Sequence, residues 1–134
     1  MSNSSTKERL MKMDLHCHSE ASYDCITPID TLYERCKREG VTVQAITDHN
    51  EIWGAKKLKE LAEERDDYPL TVIIGEEIST SEGEIIGLFL TKKIEPGLTP
   101  EETVRQIKAQ GGLVLLSHGF APLKRHRLKP EARA

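Results

Sequence analysis

His16 and His18 stand two residues apart in Asp14-Leu15-His16-Cys17-His18. On extended chain that spacing puts both imidazoles on one face and Cys17 on the other, which is a chelating geometry. Further along, Asp48-His49, Glu76-Glu77 and Ser117-His118 offer imidazole and carboxylate again, the donors that zinc, manganese and iron accept. A single His-x-His is a weak signal, because a lone histidine is more often structural than a ligand. Here four separate segments present such donors, each at the C-terminal end of a predicted strand, where α/β folds assemble their sites. A metal cluster on one rim is the expectation. Several carboxylates beside several histidines point to more than one ion, since a bridging glutamate holds two cations about 3.5–4 Å apart. Such a pair activates water and clamps phosphoryl oxygens, so phosphoester hydrolysis follows. Donor types alone leave amide or lactam hydrolysis open, because the same cluster polarises a carbonyl.

The elements that must position these donors are legible from periodicity. Met11 to His16 alternates apolar and polar side chains, the period of a strand. Thr27-Pro28 gives an N-cap and a first-turn proline, after which Ile29, Leu32, Tyr33 and Cys36 recur at helical spacing up to Gly40. Val41 to Thr47 is a short β-branched strand, and a second helix is expected from Ile52 to Glu64 with Ala55, Leu58, Leu61 and Ala62 inward. Leu70 to Ile74 and Ile85 to Leu90 are the next strands, separated by a turn over Ser79 to Gly83. Thr99-Pro100-Glu101-Glu102 is a capping box leading a helix that stops at Gly111-Gly112, and Leu113 to Leu116 is the last strand. The order β-α-β-α-β-β-α-β implies parallel strands with helical crossovers, an α/β sheet or part of a barrel.

The chain has 134 residues, 37% apolar, 31% charged and 4% aromatic, the size of one domain. No apolar run approaches the roughly 20 residues that cross a bilayer, and Met1 to Met13 lacks the apolar segment of a secretory signal. A cytoplasmic location is expected. Residues 1–10 read as a disordered lead-in and residues 11–134 as the domain. Cys17, Cys25 and Cys36 form no Cys-x-x-Cys pair, so reduced thiols are expected, Cys17 in the core. Net charge is −3, but the last sixteen residues alone carry +4, which reads as a solvated charge run. A nucleic-acid footprint over the whole chain is absent.

The segments Asp14-Leu15-His16-Cys17-His18-Ser19, Tyr23-Asp24, Thr47-Asp48-His49-Asn50, Gly75-Glu76-Glu77-Ile78-Ser79, Gly83-Glu84-Ile85-Ile86-Gly87-Leu88 and Ser117-His118 resemble the ordered motifs of the PHP (polymerase and histidinol phosphatase) family. The likeness runs from Met13 to about Arg127. It implies a distorted TIM-like barrel of βα units with mostly parallel strands, and a cluster of two or three divalent ions, zinc, manganese or iron, at its C-terminal rim. It also implies phosphoesterase activity on a small phosphate ester or nucleotide. Carried over residue by residue, His16 and His18 bind the first metal, Glu77 bridges to a second that His118 also binds, and Asp24 and His49 bind the third. Glu77 is preferred to Glu76 because the family pattern is Gly-x-Glu before an aliphatic residue. Glu84 stands where many relatives have a histidine, and a carboxylate there can still ligate. Catalysis would rest on His16, His18, His49 and Glu77, with proton transfer by His49 or Asp48 where either is not engaged.

Two departures stand out. Gly119 follows His118 where relatives commonly have proline, and the chain ends before the family's late Asp-x-His segment. A complete barrel of this kind takes about 200 residues or more, so the chain reads as the N-terminal portion of one, truncated at the C-terminus. An oligomer or a complementing C-terminal segment would then supply the rest. The alternative to an enzyme is an inactive remnant acting as a metal-binding or interaction module.

Overall fold

The computed structural model describes residues 11–116. The expected lead-in over residues 1–10, the ligand position His118 and the basic tail lie outside the described residues. Strands β1 (Met13–Asp14), β2 (Val43–His49), β3 (Thr71–Thr80), β4 (Gly83–Leu88) and β5 (Leu113–Leu116) form one sheet in that order. Helices α1 (Ile29–Glu39), α2 (Trp53–Arg65) and α3 (Pro100–Ala109) connect them. This is the α/β architecture expected, a partial TIM-like barrel sheet with helices packed on it.

β1, β2 and β3 are parallel, whereas β4 is antiparallel to both β3 and β5. β5 therefore points the same way as β1, β2 and β3, so the strands are mostly parallel as expected and β4 alone of the five runs the other way. The reason is the link between β3 and β4, Ser81-Glu82, which is long enough for a hairpin but far too short for a crossover. Gly83 supplies a φ of 130° at its exit, and the Thr80 hydroxyl closes the turn onto the Gly83 carbonyl at 2.7 Å.

Helix α1 buries Ile29, Leu32, Tyr33 and Cys36, the four positions its spacing selects. Its cap differs from expectation. The cap position is Pro28, with no side-chain cap, and the Ile29 N–H donates instead to Glu20 Oε2 at 3.4 Å, from a loop that the helix start must meet in space. Gly40 ends α1 in the left-handed region at φ 73°. Half of the expected capping box forms: Thr99 accepts the Glu102 N–H at 3.1 Å, with Pro100 in the first turn, but the Glu102 carboxylate turns to Arg105 and Gln106 and not back to the Thr99 N–H.

Side-chain alternation divides the sheet into two faces. Ile46, Ile74, Ile78 and Ile85 pack outward against the helices. Val43, Ala45, Ile73, Ile86 and Leu88 form a separate cluster on the inner face. The register carries that inner face toward the C-terminal rim, with Thr47 opposite Gly75 and His49 opposite Glu77. Gly75 is needed where it sits. A Cβ there would lie 2.9 Å from the Gly87 carbonyl oxygen and 2.9 Å from Thr47 Cγ2, so any side chain wedges β3 away from its neighbours.

Gly75→Ala should consequently destabilise the fold by about 1–3 kcal/mol. A urea titration followed by circular dichroism reads this as a lowered midpoint, and an unchanged midpoint would contradict the close approach.

Candidate metal centre

The site grows from three strands and one loop. β2 and β3 extend further than sequence suggests, so His49 and Glu77 sit within paired strands, not just beyond them. Their side chains share the inner face because they are register partners. Glu84, at the start of β4, joins them from across the hairpin. His16 and His18 lie on the segment that leaves β1, and Asp24 lies on the loop before α1.

Three donor atoms form a nearly equilateral triangle. His16 Nε2, His18 Nε2 and Glu77 Oε1 are 3.2 Å from one another along every edge. Two donors bound at about 2.0–2.1 Å in tetrahedral geometry stand roughly 3.3 Å apart, so the triangle has the size of one face of a coordination shell. His49 extends the cluster on both sides. Its Nε2 lies 3.2 Å from Asp24 Oδ2, and its Nδ1 lies 3.4 Å from Glu84 Oε2 and 3.8 Å from Glu77 Oε1. That Nδ1 is buried and makes no hydrogen bond among the described residues. Three overlapping donor sets result: His16, His18 and Glu77; His18, Asp24 and His49; and His49, Glu77 and Glu84. Together these six side chains line an open cavity of about 380 Å³. The donors fit a divalent metal in chemistry and spacing.

The loop between the histidines and α1 is held by Asp48, a residue the sequence offers as a proton carrier beside His49. Asp48 is fully buried on the opposite side of β2. Its carboxylate accepts the Ser19 N–H at 2.5 Å, the Ser19 hydroxyl at 2.6 Å and the Ser22 hydroxyl at 2.9 Å. Ser22 Oγ in turn accepts the His49 N–H at 2.9 Å and lies 3.1 Å from His18 Nδ1. Because the one Ser22 proton is committed to an acceptor-only carboxylate, His18 Nδ1 must carry the proton in this contact. The tautomer leaves His18 Nε2 as the ligand atom. Asp48 is therefore engaged by three donors and withdrawn from the cavity, so it positions the loop and is not a proton carrier.

Glu76 is also turned away. One residue from Glu77 on a strand, it faces the helices, where Oε1 accepts the Ile94 N–H at 2.8 Å and Oε2 has no partner among the described residues. Burial pushes its carboxyl up to about 7, with the Ile94 N–H opposing only partly. Asp14 holds the backbone N–H of His16 at 3.2 Å. Cys17 is buried among α1 and α2 side chains, as its alternation with the histidines predicts. Residues to which the sequence reading gave no role include Ser19, Ser22 and Gly54, and a Cβ on Gly54 would meet Ser19 Oγ at 2.1 Å and Asp48 Oδ2 at 2.6 Å. The signal available was compositional only, a stretch of small polar residues beside a ligand pair.

Metal-free, the cluster is an ion-pair network. Burial acts to raise the Glu77 carboxyl, but hydrogen bonds from His18 and His16 and the nearby His49 outweigh it and hold it down to about 2. His18 moves the other way, raised chiefly by its hydrogen bond to Glu77. The lowered carboxylate contributes stability above an unfolded value of about 4.5 and loses it only as pH falls toward 2. The raised imidazole contributes fully below its unfolded 6.5 and loses that contribution as pH rises through its folded value. The buried Glu76 carboxyl adds the same sign, its neutral form favoured until pH rises from 4.5 through about 7.

Thermal unfolding of the chelated chain should thus show lower stability near pH 8 than near pH 6, and adding manganese or zinc at pH 8 should reverse the loss. A melting temperature that rises steadily over that range without metal would contradict the ion-pair account. Ser22→Ala should weaken metal binding by about 10–100-fold in a calorimetric titration, as loss of a ligand's outer hydrogen bond does, and wild-type affinity in that variant would remove the tautomer argument.

Three comparisons bear on this arrangement. An uncharacterized protein of Methanocaldococcus jannaschii is 42% identical over 123 residues, covering 84% of this chain and 70% of that protein. A 5'-3' exoribonuclease of Haemophilus influenzae is 36% identical over 105 residues, 73% of this chain but 37% of its own length. Another uncharacterized M. jannaschii protein is 38% identical and is spanned over 44% of its length, so the chain spans less than half of two of these three relatives. In fold, the crystal structure of a Bifidobacterium adolescentis protein described as a metal-dependent phosphoesterase superposes with a TM-score of 0.70 over 92% of this chain and 72% of that one, at 16% identity. The PHP domain family matches residues 14–124, a span that takes in every described donor of the cluster, and the chain belongs to that family.

Proposed function

We propose that this chain is the N-terminal portion of a metal-dependent phosphoesterase domain over residues 11–134, acting on a phosphate monoester or nucleotide ester. The observation that carries the reading is the 3.2 Å triangle of His16 Nε2, His18 Nε2 and Glu77 Oε1, extended by His49 to Asp24 and Glu84. His16, His18, Asp24, His49 and Glu77 hold two or three divalent ions drawn from zinc, manganese and iron, with Glu84 as a further carboxylate ligand and His118 as a ligand of the second ion. Bound ions would supply Lewis acidity toward phosphoryl oxygens and a lowered pKa for water. The chain's own residues fix that chemistry in place. Glu77, buried between two histidine-bearing segments, is shared by two donor sets and spaces them. Ser22 and Asp48 lock His18 in its ligand tautomer, and His16 hangs from β1 by the Asp14 contact. The name of the H. influenzae relative supports a nucleotide ester among the substrates.

Free thiols at Cys17, Cys25 and Cys36 support a reducing compartment such as the cytoplasm. No helix among the described residues is long and apolar enough to cross a membrane. A second reading draws on the sheet edges. No described strand pairs with the outer sides of β1 and β5, while Met13, Leu113, Leu115 and Leu116 are exposed there. That pattern supports a partner, either a second copy or a complementing segment, and a binding role if turnover is absent.

Elemental analysis should find about two or more ions per chain after reconstitution, and 4-nitrophenyl phosphate should be hydrolysed only with manganese or zinc present. Glu77→Gln should lower kcat by about 100-fold or more together with metal content. Full metal occupancy without turnover on any phosphoester would favour the binding module, and turnover that survives chelation would overturn the metal mechanism.

A further inference from the structure

The cavity is lined by His16, His18, Asp24, His49, Glu77 and Glu84, all ionisable. These side chains suit ions and a phosphoryl group, and they offer nothing to the organic half of an ester. Exposed apolar surface lies beside them on the loop that carries Asp24. Tyr23 immediately precedes that residue and is 82% exposed. The ring meets the His49 imidazole in a T-shaped contact, with centroids 5.1 Å apart and planes at 66°. Ile26, three residues on, is 90% exposed.

This is an unusual place to leave a large aromatic surface in water, since burial of such a ring is worth about 1.5–3 kcal/mol. The loop is not slack. The Ser22 N–H donates to the Ser19 carbonyl at 3.0 Å and the Cys25 N–H to the Ser22 carbonyl at 3.2 Å, and both serines are tied to Asp48. Tyr23 is thereby presented by a fixed turn, in contact with the His49 imidazole and with much of its surface open beside the cavity.

We infer that Tyr23 is a specificity-determining residue, a stacking platform that seats an aromatic leaving group, an aryl or nucleobase ring, beside the metal centre. The inference rests on the phosphoesterase reading and adds to it a class of substrate, aromatic rather than alkyl phosphate esters. Stacking requires only a flat π-surface, so the phenol hydroxyl is dispensable. Tyr23 also supplies no ligand to the cluster, so its loss acts on the organic group and not on metal content.

The test uses phenylphosphonate and methylphosphonate, which carry the same ionic head and are not hydrolysed, titrated calorimetrically into the manganese-loaded full chain. Phenylphosphonate should bind about tenfold more tightly. The preference should collapse toward unity in Tyr23→Ala and persist in Tyr23→Phe, with manganese per chain unchanged in both. In turnover, the ratio of kcat/KM for phenyl phosphate over glycerol phosphate should fall by a similar factor in Tyr23→Ala, mostly through KM. Equal binding of the two phosphonates to wild type, or a preference that survives Tyr23→Ala, overturns the role of Tyr23 while leaving the phosphoesterase reading intact. Failure of the metal-loaded chain to bind either phosphonate, or of the chain to take up manganese, overturns that reading and this inference with it.

Discussion

A carboxylate with no access to water holds the candidate site together. Asp48 is fully buried against the outer face of β2, where an unsolvated charge is tolerated only with several donors close at hand. Ser19 gives two and Ser22 one, and to give them the loop after β1 must fold back over the end of β2. That fold-back fixes His18 in position and tautomer and brings Tyr23 and Asp24 round to His49. Helix α2 makes room for it with Gly54, whose missing Cβ leaves the volume that Ser19 and Asp48 occupy. Removal of the charge or of the space would release the donors on this loop together.

The second constraint is the two-residue period of a strand. Asp48-His49 and Glu76-Glu77 are adjacent pairs in which one member faces the helices and the other the inner face. The register aligns them, Asp48 with Glu76 and His49 with Glu77. Each pair therefore divides its labour: the outward carboxyl serves local structure, and the inward side chain serves the cluster. Glu76 shows what outward placement costs. With one oxygen on the Ile94 N–H and the other buried without a partner among the described residues, its carboxyl is raised to about 7, whereas Glu77, beside three imidazoles, is held down to about 2.

Much of this was legible in the sequence because it follows from period and chemistry. The α1 core set, the Thr99 cap, the β5 bounds and the inner placement of the His16 and His18 pair all depend on neighbours within a turn or two. The choice of Glu77 over Glu76 came from the family pattern, and alternation along β3 places the two on opposite faces. What the sequence hid was set by distant partners. The polar stretch after Ile74 reads as a strand end, yet β3 runs on to Thr80 because its polar side chains find partners across the sheet and in the β4 hairpin. Thr27 reads as a cap, yet Glu20 meets the helix start. Asp48 reads as a candidate proton carrier beside a histidine, and only three-dimensional contact with Ser19 and Ser22 shows it to be spent on the loop.

The site also bears on the fold that carries it. β1 pairs with β2 through two residues only, Met13 and Asp14, which makes it the most weakly held strand of the sheet. Yet His16 and His18 leave directly from it, and their Nε2 atoms meet Glu77 on β3, the strand beyond its neighbour. A cation held by that triangle would tie the edge of the sheet to its centre through bonds stronger than a two-residue ladder. Binding to the folded form alone shifts the folding equilibrium toward it, so metal affinity and edge stability are one linked quantity here. Metal-free, Glu77 and the two histidines make the same connection as an ion-pair network, and the His18 part of it weakens as that imidazole loses its proton. The cluster thus straps the edge of the sheet to its centre with the same three side chains that are gathered to hold a cation, so whatever moves one of them acts on both roles.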